Sequence, residues 1–500
     1  MFLSRKTALL YSIPAKEKPY WFLTIALVFI LVVSQLFQDG MFMDGELYVC
    51  VSKNLANGSG SFWNPYFGET SGLAFHEQPP LYFGLMALFF KLLGNSMYTE
   101  RIFCLLTLFV TTLYIVKIWR LVFREDEAIA AKSWLPVLLW ITIPVCFWTY
   151  NNLVEETVMG VFTTMAVYFI LKSLLIKART LLNLFLGAVF IFLASLTKGI
   201  QGMYPIVAPA LFWLAIPSKI SFKKSLAYSM VLLLIPLISY TLLVCNPTVY
   251  GAYELYFKSR FVSALNGSAA TTGNRFRLVY NLFCQLIPAL SFGAIILILG
   301  KTRKTASSGS PLFSTAMSRS DLNRTPFYLL LIGLSGSLPL MVTLEQREFY
   351  IATTLPFFAL SISVFIVPVL SALLDSFNAR PLGFRIFNLV ATLLLLSSLL
   401  FTLSQLGKTK RDAELLQDIR GIDKTIPDGE TLSSSLDLME AWDVRTYFNR
   451  YRNVNLCPVS AHNTKNHLVK FKSSVVDSSL LSKYEKVQME STVLDLYKLK

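Results

Sequence analysis

Charged side chains are scarce in this sequence: Asp, Glu, Lys and Arg make up 15% of it, against about 25% in a soluble domain. That shortage excludes an ordinary water-soluble globule, and the 54% hydrophobic content and mean hydropathy of +0.55 point to a polytopic membrane protein. Cysteine is sparse too. The six (50, 104, 146, 245, 284 and 457) form no CxxC pair, and three lie in apolar runs, so neither a disulfide framework nor a zinc motif is expected. Histidine occurs three times, and His462 and His467, five apart in a polar stretch without a third ligand, read as surface residues. Acidic residues are outnumbered, giving a net charge of +15. In a multi-span protein Lys and Arg collect in cytoplasmic loops, so the excess implies orientation in a membrane and no nucleic-acid partner.

What the chain has in abundance is long apolar runs. A membrane-crossing helix needs about 20 apolar residues, and about 11 such runs are present, near 20–38, 99–122, 134–150, 157–176, 180–197, 200–217, 225–245, 278–299, 326–344, 349–373 and 386–406. The first is long enough to remain as a span, so no cleavable signal peptide is expected. The segment 79–93 is shorter, opens with Pro79-Pro80 and carries Lys91, which suits a helix lying in the membrane interface. With the N-terminus cytoplasmic and 79–93 not crossing, most loop Lys and Arg fall inside, as the positive-inside rule requires. Residues 1–406 are then a transmembrane domain whose first outer loop is 39–98. Residues 407–500 turn charged and polar, and form a small extracytoplasmic α/β domain, with a helix in KRDAELLQDIRGI and strands in VNLCPVS and SSVVDSSLL. The Ser-, Thr- and Lys-rich loop 300–325 reads as a flexible cytoplasmic linker. The expected fold class is an all-α bundle with interfacial helices in its first outer loop and a small C-terminal α/β unit.

The outer segments hold the candidate chemistry. The first outer loop carries Asp44, Glu46, Glu69, His76 and Glu77, immediately beyond an apolar span. Carboxylates at a membrane edge are costly and mark functional sites. Gly45 lets the backbone turn between Asp44 and Glu46. Partial desolvation raises the pKa of Asp44 and makes it a better proton acceptor, while Asp is equally suited to cap a helix over 45–56. His76 and Glu77 precede a helix start that can hold an anion, or serve only as its polar entry. Glu155 and Glu156 sit at the start of a span, and adjacent helical positions point about 100° apart, so one of them is expected to face a cleft. Lys198, in LTKGIQG, either snorkels or meets an anionic head group. Arg347 and the quartet Lys258, Arg260, Arg275 and Arg277 are the other outer cations, suited to phosphate or to anionic lipid.

In this order the pieces resemble the C-type membrane glycosyltransferases, in particular the bacterial aminoarabinose-to-lipid A transferase family and the dolichyl-phosphate-mannose protein mannosyltransferases. The resemblance rests on Asp44 and Glu46, Glu77-x-Pro79-Pro80-Leu81, Glu155, Leu-Thr-Lys-Gly at 196–199, and Arg347 followed by Tyr350 and Pro356, and it covers about residues 20 to 406. It implies a polyprenyl monophosphate sugar donor and a catalytic carboxylate at Asp44, with Glu155 at the second acidic position. The family's Glu-Lys-Pro-Pro lysine is Gln78 here, and Leu47 stands where relatives often carry an arginine. Lys198, Arg347 or Lys258 are expected to supply the missing charge to the donor phosphate beside Gln78. Glu46, His76, Glu77, Tyr82, Glu156 and Tyr350 complete the expected substrate-binding set.

The expected function is a multi-pass inner-membrane glycosyltransferase moving a sugar from a polyprenyl-phosphate donor to a lipid, glycan or protein acceptor at the outer face. No cofactor is required on this reading, and a divalent metal is left open. A transporter or flippase of a lipid-linked sugar is the rival. It is disfavoured because the chain lacks the paired halves with broken helices common in transporters. An inactive family member acting as a binding subunit stays open, given Gln78 and Leu47.

Overall fold

The computed structural model describes residues 13–68, 74–176, 178–263, 267, 270–302, 319–460 and 464–500. Glu69, His462 and most of the 300–325 loop lie outside the described residues. The apolar runs fold as helices, and nine helical passages among the described residues are long and apolar enough to cross a membrane. The elements that position the site are α1 (Lys18–Leu36), α2 (Met43–Ala56), α3 (Leu81–Leu93), α4 (Met97–Val122), α5 (Glu156–Leu175), α6 (Thr180–Lys198), α7 (Phe222–Val244) and α8 (Trp442–Arg452). Helix α3, with 13 residues, is about 20 Å long, well short of a hydrocarbon core of about 30 Å. The outermost helices show apolar side chains to their surroundings. On α7, Leu234, Leu237 and Leu242 are each more than half exposed, as lipid-facing residues are.

Two of the expected runs fold differently. Residues 134–150 form two short helices, Trp134–Ile141 and Pro144–Thr149, because Ile143 precedes a proline and is driven out of the helical region to ψ 123°. Runs 180–197 and 200–217 join in one helical passage of 36 residues, Thr180–Ala215. It doubles back on itself. Gly199 takes φ +69°, and a Cβ on Gly202 would overlap the backbone of Ala194 and Ser195, although eight residues of straight helix would separate those positions by about 12 Å.

The five strands among the described residues lie beyond residue 430, in one mixed sheet of order β2-β1-β3-β5-β4. β1 (Thr431–Ser434) pairs in parallel with β2 (Asn455–Pro458) and β3 (His467–Phe471), and β5 (Leu494–Leu499) runs antiparallel to β3 and β4 (Tyr484–Lys486). The expected helix is present as Ala413–Asp423. The expected strand in SSVVDSSLL is not: Val475 is 96% exposed, so the alternation has no core to face, and Asp477 caps a one-turn helix instead. His467 is also corrected. It is buried in β3 with its ring Nδ1 2.8 Å from Glu430 Oε1, not at the surface.

Helix α8 seats this sheet region on α2. Lys53 on α2 is fully buried and donates to the carbonyls of Asn449 and Arg450, and Cys50 donates to the carbonyl of Thr446. Arg450 reaches Glu100 at 2.8 Å and Asn95 at 2.8 Å on the α4 side. Asp39 receives Arg420 and the Tyr451 hydroxyl. Buried charges survive only when paired in this way.

Candidate functional site

The site grows from a backbone contact. A Cβ on Gly45 would overlap the carbonyl oxygen of Asn152, so α2 lies directly against the turn that enters α5. Gly45 is therefore needed for close approach inside a helix, and not for the turn expected from the sequence. The Phe42 N–H donates to Asn152 Oδ1 at 3.0 Å, and Leu153, at φ +52°, has its carbonyl held by the Tyr82 hydroxyl at 2.6 Å. This locks Asp44, in the first turn of α2, beside Glu155 and Glu156.

Asp44 lines a cavity of about 200 Å³ together with Tyr48, Glu77, Lys198, Arg260 and Arg347. Its carboxylate makes no hydrogen bond among the described residues. Burial holds its pKa above the usual carboxylate value, opposed by Lys198, Arg347 and Arg260 and reinforced by Glu77. Such a carboxylate is poised to accept a proton next to fixed positive charge.

The three cations differ in their surroundings. Lys198 ends α6 and is locked, 2.5 Å from Glu156 Oε1 and 3.9 Å from Glu155 Oε2, with its ammonium 4.8 Å from the Tyr350 ring centroid. Both glutamates approach it. Glu155 keeps helical dihedrals (φ −60°, ψ −25°) just ahead of α5, so two adjacent helical positions reach the same ammonium, where only one of them was expected to face the cleft. Arg260 bridges Glu77 and Glu345, the second at 3.9 Å, and Glu345 accepts the Tyr350 hydroxyl at 3.1 Å. Arg347 is exposed, and its guanidinium has no partner among the described residues. Trp442 closes the cavity from α8, with Phe67 edge-on at 5.5 Å and Arg445 over its ring at 4.6 Å.

Comparison with known proteins gives the frame for this geometry. Residues 77–243 match the family model described as dolichyl-phosphate-mannose-protein mannosyltransferase. No curated protein matches the chain at a significant level. Among solved structures, ArnT from Cupriavidus metallidurans bound to undecaprenyl phosphate superposes with a TM-score of 0.65 at 13% identity, covering 96% of this chain and 98% of that one. The fold is ArnT-like. The apo state of the same protein gives 0.64 at 13% identity over the same shares of both chains. The apo oligosaccharyltransferase of Archaeoglobus fulgidus gives 0.53 at 12% identity, covering 91% of this chain and 66% of that one.

Within this ArnT-like frame the expected site residues separate into two groups. Asp44, Glu77, Gln78, Lys198, Arg347 and Tyr350 share the cavity, with Glu155 and Glu156 behind Lys198. Three expected substrate contacts lie elsewhere. Tyr82 is fully buried as the pin on Leu153. Glu46 turns away towards Glu100, Arg101 and Arg450, because two residues of helix rotate about 200°. His76 lines a neighbouring crevice with Trp63 and Tyr253. Lys258 pairs with Glu254 at 2.6 Å in an exposed i,i+4 bridge, outside the cavity. Arg260 was visible only as one of four outer cations. Glu345 lies in the outer turn 344–348 but was not singled out, and Trp442 carried no sequence mark, since long-range packing alone brings it in. Among the described residues no group of three or more His, Cys, Asp or Glu side chains could hold a metal ion.

Proposed function

We propose that the chain is an integral membrane glycosyltransferase that moves one sugar from a polyprenyl-phosphate donor to a lipid, glycan or protein acceptor. The observation that carries this reading is an unpartnered carboxylate, Asp44, in one cavity with three cations of which one, Arg347, is unpaired. Asp44 takes the proton of the acceptor hydroxyl or amine as that atom attacks the anomeric carbon. The bond from that carbon to the phosphate oxygen breaks, and the phosphate leaves with the electron pair. Because the leaving group is already an anion, cations suffice to stabilise it and no general acid is needed. One displacement inverts the anomeric centre. An open apolar groove of about 510 Å³ beside Gly199, Met203, Tyr240 and Tyr256 adjoins Lys198 in sequence, and suits the prenyl tail. Replacing Asp44 by Asn keeps the shape and removes the base. Turnover of a purified polyprenyl-phosphate sugar should fall by about 10²–10⁴-fold with folding unchanged, and retention of more than about a tenth of the rate would reject the assignment.

The cavity and the sheet region are read as extracytoplasmic, on the distribution of loop Lys and Arg. Ser61 and Val475 are both exposed. Single cysteines placed at these two positions should both react with an impermeant reagent in intact spheroplasts, and labelling of only one of them contradicts the reading.

A further inference from the structure

A second cavity, of about 720 Å³, lies between the C-terminal end of α2 and the C-terminal end of α8, with Asn54, Asn57, Tyr66, Asn449, Asn453 and Asn455 on its walls. Its size falls in the range of ligand sites, about 300–1,000 Å³. No charged side chain lines it, although α8 carries Arg445, Arg450 and Arg452 and the reaction cavity is lined by ions of both signs. Three of the amides form a floor. Asn54 Nδ2 donates to Asn449 Oδ1 at 3.3 Å, and Asn449 Nδ2 donates to Asn455 Oδ1 at 3.3 Å, all three residues being buried. The other two form the rim: Asn57 and Asn453 are exposed, and their side-chain amides have no partner among the described residues. Asn453 ends α8 at φ +57°, a left-handed cap position that asparagine adopts next most readily after glycine.

The floor amides are bonded to one another and to the Tyr66 and Phe67 carbonyls, whereas each rim amide, Asn57 and Asn453, offers two donors and an acceptor. Vicinal hydroxyls, which donate and accept in turn, complement such a surface, whereas an ion finds no counter-charge on it. The Tyr66 ring adds a flat apolar surface for the C–H face of a sugar. We infer that this groove is a binding site for a neutral oligosaccharide, the distal portion of the acceptor. Asn54 follows Asp44 by ten residues on the same helix, about 15 Å along its axis. A glycan held in the groove must span that distance to present its reacting end to Asp44; this placement rests on the glycosyltransferase reading above.

The test uses the full chain in detergent micelles on an array of immobilised neutral oligosaccharides, with sulfated oligosaccharides alongside. The native chain should be retained on neutral sugars in preference to sulfated ones. Asn57→Ala combined with Asn453→Gly, which keeps the left-handed backbone, should weaken retention by about tenfold or more. Asn57→Ala alone should give an intermediate loss. Asp44→Asn should bind like the native chain. Neutral-sugar binding without any transfer activity would keep the groove and reject the reaction. Transfer with no neutral-sugar retention, a preference for sulfated sugars, or equal retention by the double variant would overturn the groove.

Discussion

Lys198 and Arg347 look equivalent in the sequence, as lone cations in short turns between apolar runs, yet replacing each by Met should cause opposite kinds of failure. The Lys198 side chain is 9% exposed and those of Glu155 and Glu156 are fully buried. Three carboxylate oxygens of that pair already lack hydrogen-bond partners. Taking the ammonium away leaves two buried carboxylates with no counter-ion, a loss of about 3–5 kcal/mol for breaking a buried ion pair from one side. Arg347 is exposed, and its loss should change stability by less than about 0.5 kcal/mol. On the proposed function, what it removes is a charge-assisted hydrogen bond to the donor phosphate, worth about 1.5–3 kcal/mol, or about 10- to 150-fold in the apparent donor KM. Thermal unfolding of detergent-purified variants measures the first effect, and turnover at varied polyprenyl-phosphate sugar measures the second. Glu156→Gln in the Lys198→Met background should recover part of the lost stability by removing one stranded charge. A Lys198→Met protein as stable as the native one, with only the donor KM raised, would refute the division between a structural and a substrate-facing cation.

Two further outcomes concern pH. The rate should rise with pH through a group titrating above the usual carboxylate value, since burial raises the Asp44 pKa and only the ionised form accepts a proton. Arg347→Met removes a charge that lowers this pKa, so its acid limb should move to higher pH, and a shift to lower pH in the rate profile contradicts the assignment. Glu46, buried on the other face of α2, has its pKa raised from 4.5 to about 8 by burial and by Glu100. The folded chain therefore binds a proton there that the unfolded chain releases, and this contribution to stability, complete below pH 4.5, is lost as pH rises through about 8. Glu46→Gln should flatten that dependence in melts between pH 5 and 9, and an unchanged slope counts against a protonated Glu46.

How far the molecule was legible depended on whether the determining interactions are local. Apolar length alone marks helices, so the bundle could be read from composition. The split at Pro144 follows from a local steric rule, and the reversal at Gly199 from a glycine that only the fold shows at positive φ. The strand expected at SSVVDSSLL failed because alternation signals a strand only where one face is buried, and Val475 faces solvent. The site was half legible. Asp44, Glu77, Lys198 and Arg347 stand out as ionisable residues at the ends of apolar runs, where their presence is costly. Glu345 ends an apolar run as Arg347 does and could have been marked by the same rule, whereas Trp442 stands in a polar stretch that nothing nearby in sequence distinguishes from a surface segment.

The pair Asp44 and Glu46 shows how the two halves of the molecule are coupled. Both were expected in the site because they are close in sequence beyond the same span, but a helical α2 sends them to opposite faces. One face presents Asp44 to the cavity it shares with Lys198 and Arg347. The other presents Glu46, Cys50 and Lys53 to Glu100, Arg450 and the last turns of α8. The sheet region is thus attached to the helix that carries the proposed base, and α8 also supplies Trp442 to the cavity wall. Since α2 is pinned at Gly45 by the Asn152 backbone and along its length by α8, Asp44 is held by packing on both sides. That rigidity keeps the Asp44 carboxylate facing the cavity, because a mobile helix would let it pair with Lys198, which would lower its pKa and its capacity as a base.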